Sequence, residues 1–496
     1  MIFKILKKNI TQNSKKNSLM KLKIIVSFLI LGTQTVLLSQ NLETKPYEFI
    51  SRAKDNVQAE LGTFKVLEDR INGGKDSIQL SYVRFKSTNP NPQSPIIYLS
   101  GGPGGSGTAT AKGNRFELFM KLREVADVIA FDQRGTGLSE NLPNCPYSAK
   151  FELSKPTDKQ EYIDKTTANV SKCLEFWKNE NVNLKAYNTT ESAKDIDDLR
   201  KALEVEKVSI WGISYGSHLA FEYIRLFEQN IDKMVLASLE GSNETIKLPK
   251  DTENFVFQIA EKAEDNFGSE VKFKDLKSKI IAVHRRLKEN PVEISYNNRS
   301  GGIDTVGISN FELQSAVATF YLKNPTDSKN LPKLYTQMYN GDFSEITPNV
   351  MVMKNYIFNR VSPMAFAMDM QSGISNERRK LIDQQIDNSI LGSSINFLLY
   401  EWMKNIDFQQ LPNEFREMKE NEVDALLFSG TMDGRTYLNS GVEIAKYFKS
   451  GQHIIIKNAG HDLYMLSPII GDLVLDFFKG KDLNLKAIEL EPTPYE

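Results

Sequence analysis

A serine between two glycines is the strongest chemical signal in the sequence. Ser214 lies in the pattern Gly212-x-Ser214-x-Gly216, after a strand-like stretch at 207–210 and before a helical stretch at 218–224. Strand, tight turn and helix in this order are the context of a nucleophile elbow, in which a strained turn presents the serine hydroxyl. The pentapeptide also occurs as an ordinary turn, so a nucleophilic role for Ser214 depends on partners elsewhere in the chain.

A serine hydroxyl is a weak nucleophile and needs a base beside it, and the sequence contains four histidines. His461 follows the last predicted strand of the core, in a loop with a glycine before it, and we predict that it is the base. The other three have structural interpretations, because one is on the helix leaving the elbow, one is on a charged helix and one opens a strand. These three are His218, His284 and His453.

The base in turn needs a carboxylate that fixes its tautomer and stabilises the imidazolium. Asp433 follows the preceding buried strand by a few residues. The order Ser214, Asp433, His461 is the one that elbow hydrolases use. Glu240 and Asp462 are alternative acids, although Asp462 is too near the histidine in sequence to turn back easily onto it. The structural alternative for Asp433 is a turn residue that caps local amides.

A glycine-rich stretch, 101–107, follows a buried-type strand. It contains Gly102-x-Gly104-x-x-Gly107, which is literally the dinucleotide-binding fingerprint. Pro103 removes an amide that a pyrophosphate would use, however, and the residues that follow are a poor start for a crossover helix. In an elbow hydrolase, such a loop supplies a backbone amide that binds the oxyanion. We therefore predict no nucleotide cofactor.

The elements that must position these residues alternate between strand and helix. This alternation predicts a mostly parallel sheet with helices on both faces. From about 244 the pattern changes to long charged helices with few buried strands, which favours a helical insertion over an independent domain. We predict an α/β core formed by 41–243 and 393–496, and a helical lid formed by 244–392.

Two residue pairs are expected to fix loops of the core. Asp132 and Arg134 follow a predicted strand, and we interpret them as a partly buried ion pair rather than as catalytic residues. Cys145 and Cys173 are the only cysteines, and an even pair in an exported chain favours one disulfide. Two buried free thiols are the alternative.

Composition and the N-terminus limit the possible functions. The 496 residues include 62 basic and 63 acidic side chains, for a formal net charge of -1, which argues against nucleic acid or a membrane surface as the main partner. No Cys/His cluster has metal-ligand spacing, so no metal is expected. Residues 1–40 pass from basic to apolar to small and polar, as a secretory signal does. The apolar run is too short and interrupted for a permanent span, so we predict export to the periplasm or beyond, with cleavage near Ser39 or Gln40.

Taken together, these stretches resemble the α/β-hydrolase-fold serine peptidases of the proline iminopeptidase and tripeptidyl aminopeptidase family. The matching segments lie within about 77–240 and 424–465, and they are 101–107, 132–137, 212–216, 433–436 and 460–461. The resemblance implies that the amides of Gly102 and Tyr215 form the oxyanion hole and that the helical insertion is the lid. Ser100 stands where iminopeptidases usually have a histidine, which favours the tripeptidyl branch. The lid cysteines common in that branch are absent, with Met370 near where one is expected.

The implied function is that of an exported serine exopeptidase that cleaves residues or short peptides from N-termini through an acyl-enzyme. Glu240 ends a strand on the active-site side and leads into the lid, and we expect its carboxylate to bind the substrate α-ammonium. An exposed or capping glutamate is the alternative. Two other functions remain open: an esterase or related hydrolase using the same residues, and a non-catalytic binding protein on a hydrolase scaffold. Peptides with a free N-terminus are the expected partners, and neither a metal nor a nucleotide is required.

Overall fold

Twelve strands are found in residues 42–297 and 302–496, which are the residues that the computed structural model describes. The predicted signal peptide, residues 1–40, lies outside the described residues. The strands are β1 (Glu43–Ile50), β2 (Asn56–Leu67), β3 (Ser77–Phe85), β4 (Ile96–Leu99), β5 (Val128–Asp132), β6 (Val208–Ser214), β7 (Ile231–Leu239), β8 (Val292–Asn297), β9 (Ile303–Ile308), β10 (Asp424–Gly430), β11 (Gly451–Lys457) and β12 (Ala487–Glu489).

Ten of these strands form one sheet in the order β1-β2-β3-β5-β4-β6-β7-β10-β11-β12. From β5 to β12 every neighbouring pair is parallel. The first three strands extend the sheet at one edge in antiparallel fashion. Strands β8 and β9 pair separately as an antiparallel hairpin. The predicted mostly parallel sheet is therefore present.

Helices cover both faces of the sheet and fill the segment between β7 and β10. Within the described residues, none of the helices combines the length and the apolar character that a membrane crossing requires. The helices are α1 (Gly107–Ala111), α2 (Phe116–Leu122), α3 (Lys159–Asn179), α4 (Thr189–Ala202), α5 (Tyr215–Phe227), α6 (Pro249–Glu264), α7 (Leu276–Glu289), α8 (Asn310–Phe320), α9 (Pro325–Ser328), α10 (Leu331–Tyr339), α11 (Thr347–Val352), α12 (Pro363–Ser372), α13 (Asn376–Ile386), α14 (Leu399–Asn405), α15 (Leu438–Ala445) and α16 (Pro468–Phe478).

Alternating side chains of the central strands build two apolar cores, one on each face of the sheet. In β4, Ile97 and Leu99 join the core beneath α4 and α5, whereas Ile96 and Tyr98 join the core beneath α2 and α16. Successive side chains of a strand point to opposite faces. A strand that is covered on both faces is therefore apolar throughout, which is why the central strands could be predicted from the sequence.

The segment between β7 and β10 is mostly helical, and its apolar residues continue the core beneath α4 and α5. The charged helices predicted from about residue 244 are present, with α6, α7 and α13 among them. Helices continue past residue 392 as far as α14, before β10 resumes the sheet. The hairpin of β8 and β9 was not predicted from the sequence. In β8 each exposed residue is followed or preceded by a half-buried one, so its sequence lacks the continuous apolar run of a central strand.

Asp132 and Arg134 do not form the predicted ion pair with each other. The buried Asp132 carboxylate accepts hydrogen bonds from Ser106 Oγ and from the amide and hydroxyl of Thr108. The buried Arg134 guanidinium instead pairs with Asp195 on α4, at 2.7 Å. A buried carboxylate can be satisfied by short-range hydroxyl and amide donors, and the partner of Arg134 is on a helix that is distant in sequence. The two residues fix the loop as expected, but through separate partners.

The predicted disulfide between Cys145 and Cys173 is confirmed, and the two Cα atoms are 5.4 Å apart. Cys173 is fully buried on α3, and Cys145 lies in the extended loop after β5. The crosslink spans a sequence separation of 28 residues. It therefore ties a loop with little regular structure to the helix that packs beside it.

Replacing both cysteines by alanine is expected to lower the free energy of unfolding by about 3 kcal/mol, because the crosslink restricts the unfolded chain. Urea unfolding of the two proteins measures the difference. The wild-type protein unfolded in the presence of a reductant should then match the alanine variant, which separates the crosslink from the change of side chain. If the reductant left the urea midpoint of the wild-type protein unchanged, this prediction would be contradicted.

Candidate active site

Ser214 lies where β6 ends and α5 begins, in a strained backbone conformation. Its φ is 57° and its ψ is -128°, a combination that non-glycine residues adopt only when the surrounding structure enforces it. A Cβ on Gly216 would lie 2.2 Å from the carbonyl oxygen of Leu99, so this position requires glycine. Ser217 Oγ donates to the Ser214 carbonyl oxygen at 2.6 Å and braces the turn. The strand, turn and helix expected of an elbow are all present.

The glycine-rich loop after β4 packs directly against this turn. A Cβ on Gly101 would lie 3.0 Å from Ser214 Cβ. Gly102 has a φ of 87°, and the space on the side where a Cβ would project is open. Tyr215 is the first residue of α5, and the first amides of a helix have no acceptor within the helix. The amides of Gly102 and Tyr215 thus belong to the two backbone segments that adjoin Ser214.

Asp433 and His461 are hydrogen-bonded, with His461 Nδ1 at 2.9 Å from Asp433 Oδ2 and 3.0 Å from Oδ1. The same carboxylate accepts from Thr436 Oγ1 at 2.6 Å and from the amides of Thr436 and Arg435. Burial opposes ionisation of Asp433, but His461 and the Thr436 donors outweigh it and hold the pKa of this carboxyl below its ordinary value. The carboxylate is therefore ionised at neutral pH. With Nδ1–H donating to it, Nε2 is the ring nitrogen that is left to accept a proton.

Ser238 connects the loop of His461 to the strand beside Ser214. Its hydroxyl donates to the His461 carbonyl oxygen at 2.7 Å. The next residue, Leu239, is the register partner of Ser214 across β6 and β7. The strands β6, β7, β10 and β11 are neighbouring and parallel. Ser214 is the last residue of β6, and Asp433 and His461 follow the ends of β10 and β11, so all three lie at one edge of the sheet. The contact of Ser238 with this loop could not be predicted from the sequence, because a single serine at the end of an apolar strand is not distinctive.

The family that this architecture represents is defined by comparison with known proteins. A family model described as the alpha/beta hydrolase fold matches residues 94–468, about three quarters of the chain. The chain belongs to the α/β-hydrolase-fold family. The match extends from β4 past β11, so it includes every strand on which the positions of Ser214, Asp433 and His461 depend. The fold class predicted from the sequence is confirmed.

Three curated relatives of this α/β hydrolase are similar to shorter parts of the chain. Serine protease Hip1 of Mycobacterium tuberculosis is 29% identical over 174 residues, which cover 34% of this chain and 33% of that protein. Tripeptidyl aminopeptidase of Streptomyces lividans is 28% identical over 162 residues, covering 31% and 29%. Putative hydrolase YuaR of Escherichia coli is 28% identical over 207 residues, covering 40% and 39%. The matched part of the chain thus spans about a third of the length of these relatives.

Glu240 lies beside the elbow of the α/β hydrolase and pairs with a lysine. Its Oε1 is 3.2 Å from Lys247 Nζ, and its amide donates to Ser217 Oγ at 2.9 Å. Asp369 on α12 lies near this pair. Burial, together with the neighbouring Glu240, raises the pKa of Asp369 well above its ordinary value, although Lys247 opposes the shift. Helix α12 of the insertion thus contributes a second carboxyl group near Glu240, which sequence reasoning missed because α12 is apolar around it.

The remaining candidate residues have structural partners. Asp462, the alternative acid, pairs with Lys323 at 2.9 Å. Burial lowers the pKa of each of the other histidines, in one case to about 4. Among residues 42–297 and 302–496, no three His, Cys, Asp or Glu side chains are grouped as they would be around a metal ion. The histidine contacts are His218 with Gly241 and Ser372, His284 with Asn310 and Tyr335, and His453 with Ser429.

Proposed function

We propose that this α/β hydrolase is an exported serine exopeptidase that removes residues or short peptides from peptide N-termini. One observation carries the proposal. The hydrogen-bonded pair of Asp433 and His461 lies at the sheet edge where the strained Ser214 ends β6. An ionised carboxylate, a histidine that it orients and a serine on an elbow are the parts that acyl transfer requires.

In the proposed reaction, His461 Nε2 takes the proton of the Ser214 hydroxyl as the oxygen attacks the substrate carbonyl carbon. The amides of Gly102 and Tyr215 donate to the oxyanion that develops. The tetrahedral intermediate collapses, the bond to the leaving amine breaks and the protonated His461 supplies its proton. Water then attacks the acyl-enzyme with His461 again as the base, and Ser214 is regenerated. Throughout, Asp433 holds the ring in the required tautomer and stabilises the imidazolium.

The packing of the insertion supports a preference for chain ends. A Cβ on Gly104 would lie 3.1 Å from Met364 Cβ, so the start of α12 lies on the glycine-rich loop. A helix in this position covers the loop and restricts the entry of long, folded polypeptides. Glu240 offers a carboxylate to a free α-ammonium, and the buried carboxyl group of Asp369 lies near it. The similarity to serine protease Hip1 and to tripeptidyl aminopeptidase agrees with a peptide substrate.

Export is proposed on the disulfide and on the composition of residues 1–40. Disulfides persist in oxidising compartments and are rare in a reducing cytosol. The crosslink of Cys145 and Cys173 therefore supports a periplasmic or extracellular location. Mass spectrometry of the protein secreted by its host would show whether the chain begins near residue 40.

The enzymatic proposal is tested with three matched substrates. A tripeptidyl anilide with a free N-terminus should be cleaved faster than its N-acetylated form, and faster than a simple acyl ester with a leaving group of matched reactivity. Faster turnover of the ester would favour an esterase. A protein in which a serine-directed phosphonate fails to label Ser214 would be a binding protein on a hydrolase scaffold.

Replacing Glu240 by glutamine is expected to lower kcat/KM for a peptide with a free N-terminus by about 10- to 100-fold, since a hydrogen bond to a charged group contributes about 1.5–3 kcal/mol. The N-acetylated peptide should be almost unaffected. Lys247→Met is the matched control, because it removes the internal ammonium that competes for Glu240 and should not weaken binding of the free N-terminus. Equal losses on the free and the acetylated peptide would contradict the ammonium role of Glu240.

A further inference from the structure

A segment formed by the end of α8 and its connection to α9, residues 319–324, contacts both of the loops that carry Asp433 and His461. We name it the clamp segment. It belongs to the insertion, more than a hundred residues before those loops in sequence. It accepts four hydrogen bonds from them, three of these at its backbone carbonyl oxygens. They run from Arg435 Nη2 to Thr319 O (2.9 Å), Gly434 N to Leu322 O (3.0 Å), His461 N to Lys323 O (3.0 Å) and Asp462 N to Asn324 Oδ1 (3.1 Å).

Asn324 is the member of the clamp segment that acts through its side chain. Its Oδ1 accepts from the amide of Asp462, and its Nδ2 donates to Asp462 Oδ2 at 3.3 Å. On the other side of His461, a Cβ on Gly460 would lie 2.6 Å from Asn324 Cα. The residues before and after His461 are therefore both in contact with Asn324.

These contacts fix the backbone of His461, whereas Asp433 fixes only its ring. The amide of His461 donates to the clamp segment, and its carbonyl oxygen accepts from Ser238 on β7. A proton-transferring group must be held close to its productive position, because a displacement of about 1 Å costs a factor of roughly 100 in rate. Since His461 lies in a loop rather than on a helix or strand, this precision must come from the contacts of the loop.

We propose that Asn324 is a positioning residue, which holds the loop of His461 against the insertion through its reciprocal hydrogen bonds with Asp462. The helical insertion then positions the loop of the base as well as covering the substrate. This inference rests on the proposed role of His461 as the base. It does not depend on exopeptidase specificity, because any acyl transfer by Ser214 needs the same base.

The test uses four variants of the full chain: Asn324→Ala, Asn324→Asp, Asp462→Asn and the double variant N324D/D462N. The double variant exchanges the carboxylate and the carboxamide, so the acceptor for the residue 462 amide and the side-chain hydrogen bond are both restored. We expect Asn324→Ala and Asn324→Asp to lower kcat by about 10- to 100-fold with KM within about twofold of wild type, whereas Asp462→Asn keeps an acceptor oxygen for Asn324 Nδ2 and should retain kcat within about threefold. The double variant should return to within about threefold of the wild-type kcat.

Lys323→Met is the matched control. It removes the partly exposed ion pair with Asp462 but keeps the backbone contacts, and it should retain kcat within about twofold.

The turnover measurements use whichever substrate the wild-type enzyme cleaves, peptide anilide or ester, and each variant is also titrated with the phosphonate that labels Ser214. A folded Asn324→Ala variant with wild-type kcat and labelling rate would overturn the positioning role while leaving the proposed function intact. If Asn324→Ala fails to fold, a folded double variant decides: recovery of kcat supports the role, and a persistent loss overturns it. A wild-type protein that neither turns over nor reacts with the phosphonate would overturn the proposed function, and this inference with it.

Discussion

Ser214→Ala is expected to lower kcat/KM by a factor of about 10⁵ to 10⁶, the range in which loss of a serine nucleophile falls. The change removes the oxygen that forms the acyl-enzyme in the proposed reaction, whereas Asp433, His461 and the amides of Gly102 and Tyr215 stay in place. Any activity that remains above the uncatalysed rate in water would come from the backbone amides and from substrate binding alone. The loss is measured on the best substrate, with the phosphonate reaction as a second readout that should disappear completely.

Ser214→Gly is the matched control for the backbone strain. It should be as inactive as the alanine variant, but glycine tolerates a φ of 57° without the steric cost that a Cβ imposes. We expect it to unfold at higher urea concentration than Ser214→Ala, by about 1 kcal/mol of unfolding free energy. Equal stability of the two variants would show that the turn stores no strain. Substantial activity in either one would rule out Ser214 as the nucleophile.

Asp433→Asn is expected to lower kcat by a factor of about 10⁴, since a carboxamide favours the wrong histidine tautomer and cannot stabilise the imidazolium. Steady-state kinetics at neutral pH measure the loss. Asp462→Asn provides the comparison, because its expected loss is at most about threefold. If Asp462→Asn proved the more damaging of the two, the acid of this site would be Asp462.

The same Asp433 variant has a pH signature in stability. The pKa of Asp433 is held below its ordinary value in the folded protein, so the ionised carboxylate stabilises the fold at every pH above the unfolded pKa of about 4. This contribution is lost as the pH falls through the lowered folded pKa. Urea unfolding should therefore show Asp433→Asn to be less stable than wild type at pH 7, with the difference shrinking in strong acid.

The features that the sequence predicted well depend on short-range patterns combined with one topological rule. A continuous apolar run indicates a strand covered on both faces, and the loops after neighbouring parallel strands meet at one edge of the sheet. Ser214, Asp433 and His461 each follow such a strand within a few residues. Their location at one edge of the sheet could therefore be predicted without knowledge of any contact between them.

Contacts between distant parts of the chain could not be predicted from these short-range patterns. The partner of Arg134 is on a helix some sixty residues later, and Glu240 is paired with Lys247, which follows it in the insertion. The clamp segment and Ser238 bond mainly through backbone groups or a lone hydroxyl. Backbone donors and acceptors are the same at every residue except proline, so nothing in the residue types marks the positions where a loop meets the insertion.

The position of β10 beside β7 has a consequence for how the protein folds. The two strands are neighbours although residues 240–423 lie between them. The chain loses conformational entropy when so long a loop closes, and the stabilising contacts between the strands form only afterwards. Long-range pairing of this kind is therefore slow. We expect the N-terminal half of the sheet to form first, with the apolar edge of β7 exposed to aggregation until β10 docks. During refolding, the intrinsic fluorescence should therefore reach its native value before phosphonate labelling recovers, because Asp433 and His461 follow the strands that dock last.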